Sequence, residues 1–143
     1  SDFIKENSIY HEYGHALDDA YNLKDNSDFK VAFQKLRDKY SANNYDLLRT
    51  LDSRLKEIKS SKSNEYNYDE ITPIADILMS INIRAGWGHS IDYMSPLGRQ
   101  EAEFIARAFE NRFNENKTFK ELAGDLHNDV ISISNLLIEI IKK

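Results

Sequence analysis

Residues 11–15 read His11-Glu12-Tyr13-Gly14-His15, an H-E-x-x-H. On a helix, side chains four apart lie one above the other on the same face. Two imidazoles so placed can share one zinc ion, which takes nitrogen ligands readily. Glu12 follows the first histidine, so its carboxylate can reach a water on the metal without being a ligand itself. Zinc acidifies such a water, and a carboxylate that takes the proton leaves a nucleophile near neutral pH. The pattern points to zinc-dependent peptide hydrolysis, with His11 and His15 as ligands and Glu12 as general base. Gly14 lies inside the same helix, where glycine costs about 1 kcal/mol against alanine. That cost makes sense if another group must approach the backbone closely.

Catalytic zinc keeps three protein ligands and one open position. The compact pattern H-E-x-x-H-x-x-G-x-x-H would need glycine at 18 and histidine at 21. The chain has Asp18 and Tyr21 there, so the third ligand is expected from a later helix. Asp18 lies at i+7 from His11 and reads either as a partner of the site or, more commonly, as an exposed helix carboxylate. Glu101 and Glu103 compete for the ligand role. At about 100° per residue, Glu101 falls between Phe104, Ile105 and Ala108, on the more apolar face. Glu103 falls beside Ala102 and Ala106, on an edge with Glu110. Small residues let a second helix come close, and periodicity leaves both glutamates open. The other candidate element is Gly86-Trp87-Gly88-His89-Ser90, with Tyr93 just after it. Glycines permit backbone shapes that other residues resist, and such a loop can bring His89 or Tyr93 over the metal. Trp87 is expected to pack or to line a substrate groove. His127 is expected to be exposed.

The elements that must position these groups are mostly helices. Ile4 to Tyr21 is the metal helix, closed by a polar break at Asn22 to Ser27. Apolar residues spaced three and four apart predict helices over Asp28 to Tyr40 and Tyr45 to Ile58, with Asn43 and Asn44 between them. Ser60 to Asn67 reads as an exposed loop. Asp69 to Asn82 reads as a helix with Pro73 in its first turn, where proline is tolerated. The glycine cluster predicts a turn or a short hairpin between Ile83 and Tyr93. Helices follow over Arg99 to Phe113 and Phe119 to Ile141. The expected class is mainly α, with at most a small β-hairpin.

The segments HEYGHALDD (11–19) and EAEFIARAF (101–109) together resemble the catalytic domain of anthrax lethal factor and its relatives. That group pairs H-E-x-G-H with a later helix whose first glutamate, directly before an aromatic, is the third zinc ligand. The matching residue is Glu103, before Phe104. A tyrosine upstream of that helix donates to the developing oxyanion in the group, and Tyr93 is the counterpart the resemblance implies. Ile74-Ala75-Asp76-Ile77, the Gly86–Ser90 turn and Tyr93 are similar to metallopeptidase domains of phage head-morphogenesis proteins and related prophage toxins. The resemblance implies a compact zincin-like domain, secreted as a toxin or associated with a phage. One position departs from it. The group commonly has a second glutamate four residues after the ligand, and here that residue is Arg107.

At 143 residues the chain is long enough for one domain with a real core. The net charge is −5, and no lysine- or arginine-rich face argues for nucleic acid. Absence of cysteine excludes disulfides and thiolate zinc sites. No apolar run approaches the ~20 residues of a membrane span. The chain starts at Ser1, ten residues before the metal motif, and is expected to be one domain of a longer polypeptide. The expected activity is a Zn2+-dependent metalloendopeptidase acting on a peptide or protein substrate. Its ligands would be His11, His15 and Glu103, with Glu12, Tyr93 and His89 in catalytic roles. The alternatives are a non-catalytic zincin-like module of a phage or toxin protein, and a hydrolase of a non-peptide amide. The oligomeric state is left open.

Overall fold

Asparagine and serine side chains start four of the helices by capping free N–H groups, as short polar side chains do well. The computed structural model describes residues 2–42, 45–61 and 65–143. It contains α1 (Asp2–Tyr21), α2 (Ser27–Arg37), α3 (Tyr45–Ser60), α4 (Tyr68–Ile81), α5 (Ile91–Met94), α6 (Arg99–Phe113), α7 (Lys117–Leu122) and α8 (Gly124–Lys142). The Asn26 side chain accepts from Asp28 N and Phe29 N at the start of α2. Asn67, Ser90 and Asn116 do the same for α4, α5 and α7. No strand occurs among the described residues, in line with a mainly α class.

Helix α6 is the centre of the packing. Phe104, Ile105, Ala108 and Phe109 turn one side of it into the apolar core, all fully buried. There Phe104 meets Phe33 of α2, with ring centroids 4.6 Å apart. Burying one such ring contributes roughly 1.5–3 kcal/mol. The other side of α6 faces α1. Its neighbours are α1, α4, α5 and α8, the turn at Leu23–Asp25, and α2 through the Phe33 and Phe104 rings. Near the end of α2 a wider turn, Asp38–Ala42, carries the chain on, and the Tyr40 hydroxyl donates to Asp129 of α8 at 2.7 Å.

Several expected boundaries move. Helix α2 ends at Arg37 rather than Tyr40 because the wider turn takes over. The expected break at Asn43 and Asn44 lies outside the described residues, as do residues 62–64 of the Ser60–Asn67 loop. Pro73 sits at the sixth position of α4, inside the helix and not in its first turn. The glycine cluster forms turns and the short helix α5, not a hairpin. The last helix divides in two at Ala123, whose φ of −149° and ψ of 63° leave the helical range. Its N–H still donates to Phe119 O, and its carbonyl accepts from His127 N. One non-helical residue redirects the chain without disturbing the apolar spacing, so periodicity ran straight through. Gly124, next to it, was the available signal. His127 is buried and stands edge-on to Phe119, with centroids 5.2 Å apart, rather than exposed.

Candidate metal centre

The contact between α1 and α6 is set by two small residues. A Cβ on Gly14 would lie 2.8 Å from the Ala106 Cα and 3.1 Å from its carbonyl oxygen. The two backbones therefore touch where both residues are smallest. His11 and His15 flank Gly14 on α1, and Glu103 stands one turn before Ala106 on α6. At this separation a glutamate is long enough to reach both imidazoles. Glu103 Oε2 lies 3.2 Å from His11 Nε2, and Oε1 lies 3.3 Å from His15 Nε2. The two Nε2 atoms are 3.2 Å apart.

Those spacings suit one ion. Ligands on a tetrahedron with zinc bonds of about 2.0–2.1 Å stand about 3.3 Å from one another. Charge agrees with geometry. Asp76, Glu103 and Glu110 are buried to within 1 % exposure; the first and last flank the half-buried Arg107, and Glu103 faces imidazoles that are neutral when they ligate a metal. Three carboxylates against one guanidinium leave two negative charges, which one dication would balance. The residues present therefore fit a zinc-like ion. Glu101 is turned away, with Oε1 3.1 Å from the Arg37 guanidinium. Of the two competing glutamates, only Glu103 joins the histidines.

The Gly86–Tyr93 segment folds against the same carboxylate. A Cβ on Gly86 would fall 1.9 Å from the Ala75 carbonyl oxygen, and one on Gly88 would fall 2.6 Å from Asp76 Oδ1. Both glycines also adopt positive φ, 69° and 132°. The loop thus lies directly on α4, and the Gly86 N–H donates to Asp52 Oδ1 of α3 at 2.7 Å. His89 is delivered with its Nε2 3.4 Å from Glu103 Oε2 and 3.6 Å from Asp76 Oδ1. Ser90 caps α5, which places Tyr93 one turn on. The Tyr93 hydroxyl donates to Glu103 Oε1 at 2.9 Å. Its ring stacks on His89 with centroids 4.2 Å apart, and the Arg99 guanidinium lies 4.3 Å from the ring centre. Trp87 packs on the core beneath Lys59 and does not line the cleft.

No family model, no curated protein and no solved structure matches this chain. The chemistry must be argued from the site itself.

Burial alone would raise the Glu103 carboxyl, but its contacts with His11 and His15 outweigh that and hold it far below the usual carboxylate range. The hydrogen bond with Glu103 raises His15 against its desolvation. Burial and the bond to Glu103 push the Tyr93 hydroxyl up, so it stays a donor. Burial also raises Glu110, against the opposing charges of Arg107 and His11. A cleft of about 580 Å³ opens over the site, lined by Glu12, Asp19, Tyr93 and Arg99 together with the three candidate ligands. A second depression of about 380 Å³ shares His11, Glu12 and Arg107, and adds Ile4, Tyr68 and Pro73.

Two further residues were placed differently by sequence reasoning. Asp18 is not exposed, and it touches the site only through its charge, which helps to raise His15. It is buried and accepts from Lys24 N at 2.8 Å, tying the end of α1 to the turn that follows. Asp76 was noticed only as part of a resemblance. The signal for it was the one charged residue in the mostly apolar run from Ile71 to Ile81.

Proposed function

We propose that this domain is a zinc-dependent metallopeptidase. The carrying observation is that His11 Nε2 and His15 Nε2 lie 3.2 Å apart and each stands 3.2–3.3 Å from one of the two Glu103 oxygens, beside Glu12, which is not part of the cluster. When bound, the metal supplies Lewis acidity, which lowers the pKa of a water and polarises a carbonyl. The protein residues do the rest. Glu12 lines the cleft with the ligands and takes the proton from the attacking water, later giving it to the leaving amine. Tyr93 remains a hydroxyl donor at neutral pH and stands at the rim, where a tetrahedral oxyanion needs a hydrogen bond. His89 backs Tyr93 by stacking on it and stands beside Glu103. The two depressions meet at His11, Glu12 and Arg107, so an extended chain can continue on either side of the scissile bond. This favours cleavage within a peptide over removal of a terminal residue. The resemblance to the lethal-factor group supports the same assignment.

The test compares wild type with Glu12→Gln for metal content and for cleavage of a broad peptide library. We expect about one zinc in each. Cleavage should fall by at least the ~10²–10⁴-fold typical of lost acid–base catalysis. Equal cleavage by both would refute the mechanism. Metal without cleavage in either would instead favour a non-catalytic module.

A further inference from the structure

Arg107 stands where the resembling proteins commonly carry a second glutamate. Its Nε donates to Asp76 Oδ2 at 2.7 Å. Its Nη1 donates to Glu110 Oε1 and Oε2 at 2.8 and 3.1 Å. Each of these carboxylates faces one flank of the cluster. Glu110 Oε1 lies 3.7 Å from His11 Nδ1, the ring nitrogen turned away from the other ligands. Asp76 Oδ1 lies 3.6 Å from His89 Nε2, which itself lies 3.4 Å from Glu103 Oε2. Asp76 is fully buried and Glu110 nearly so. Glu110 is seven residues after Glu103 and so shares its helix face two turns on.

We propose that Asp76, Arg107 and Glu110 form a positioning bracket for the metal centre, an inference that rests on the metallopeptidase reading. Glu110 orients His11 through Nδ1. Asp76 orients His89, which steadies Glu103 at Oε2. Arg107 holds the two carboxylates in register and balances their charge. The residue expected at 107 by resemblance is thus replaced by a cation that recruits a carboxylate from one turn later. Partners of this kind fix the tautomer and direction of ligands, and removing one typically weakens metal binding by about 10–100-fold. A second cation between Asp76, His89 and Glu103 is geometrically conceivable. It is disfavoured because Asp76 already holds Arg107 and one dication balances the buried charge.

Asp76→Asn and Glu110→Gln test the bracket. Each keeps shape and leaves Arg107 with one carboxylate, so both should fold. The probe is Co2+ added to the metal-free protein, whose visible absorption reports ligand geometry, with far-ultraviolet circular dichroism as a check on folding. Glu101→Gln, remote from the cluster, is the control. We expect one Co2+ per chain throughout. Affinity should drop about 10–100-fold in Glu110→Gln, with a smaller drop in Asp76→Asn and altered absorption bands in both. Unchanged affinity and spectra in both variants would overturn the bracket while leaving the metal site standing. Two Co2+ in wild type and one in Asp76→Asn would overturn it in favour of a second cation. Loss of helicity in both would reduce the three residues to a structural role. No Co2+ bound by wild type would instead refute the metallopeptidase reading and the bracket with it.

Discussion

Glu101 and Glu103 are two positions apart in sequence but meet different partners. Glu103 is buried to 1 % exposure and lies against both histidines, whereas Glu101 pairs with Arg37 on the other side of α6. Zinc content should therefore be lost in Glu103→Ala and kept in Glu101→Ala, as measured after purification without chelator. The same measurement on His11→Ala and His15→Ala should show loss in each. Retention of stoichiometric zinc in both histidine variants would remove the site. Tyr93 is partly exposed on the cleft, and its hydroxyl is tethered to Glu103. Tyr93→Phe should keep the metal and lower kcat, with the ~10²–10³-fold loss seen when one oxyanion donor is removed.

At the scale of elements, the α1–α6 contact decides whether the ligands converge. Gly14→Ala would gain about 1 kcal/mol of helix propensity. The added Cβ would meet Ala106 backbone at 2.8 Å, and backbone cannot swing aside. Overpacking of this kind typically costs about 1–3 kcal/mol. Gly14→Ala should therefore be no more stable than wild type and should bind zinc more weakly, readable by denaturation and by chelator competition. More stable protein with unchanged affinity would show that the helices are free to separate. The packing of α7 on α8 has its own signature. Burial pushes His127 below its ordinary value of 6.5, and Lys120 adds to the effect. Above that value the ring is neutral in both folded and unfolded chains, and its contribution is constant. As pH falls through 6.5, the unfolded chain takes up a proton that the folded ring resists, so stability drops until the folded value is passed. Denaturation midpoints at pH 7.5 and 5 should differ less in His127→Gln than in wild type.

For the whole molecule, a metal held at the candidate centre would couple binding to folding. The centre gathers residues from α1, α4, the loop before α5, and α6, so an ion bound there favours the folded chain. At a metal concentration near 1,000 times the dissociation constant, the gain is about 4 kcal/mol. For a domain of this size that raises the melting temperature by roughly 10 °C. Differential scanning calorimetry with zinc and with chelator should show the shift, and no shift would argue against a specific site. The apolar core around Phe29, Phe33 and Phe104 contains no metal ligand, so the chelated protein should remain helical. Among the described residues no helix is long and apolar enough to cross a membrane.

The chain alone determined the local parts, because local structure follows from near neighbours. The i, i+4 histidines, a glycine that invites close approach to the helix backbone, and the bounds of α6 were all readable from the chain. The mainly helical class followed from apolar periodicity. Tertiary structure decided what periodicity treats as equal. Glu103 was separated from Glu101 by which face of α6 meets α1, a fact no wheel contains. Gly86 and Gly88 looked like ordinary turn formers until the loop was seen pressed on Ala75 and Asp76. Asp18 and His127 looked exposed because their neighbours in sequence are polar, while their neighbours in space bury them. Arg107 stood as a departure from pattern for the same reason. Its carboxylate partners lie three residues along its own helix and 31 residues away on another, and only folding brings both to its guanidinium.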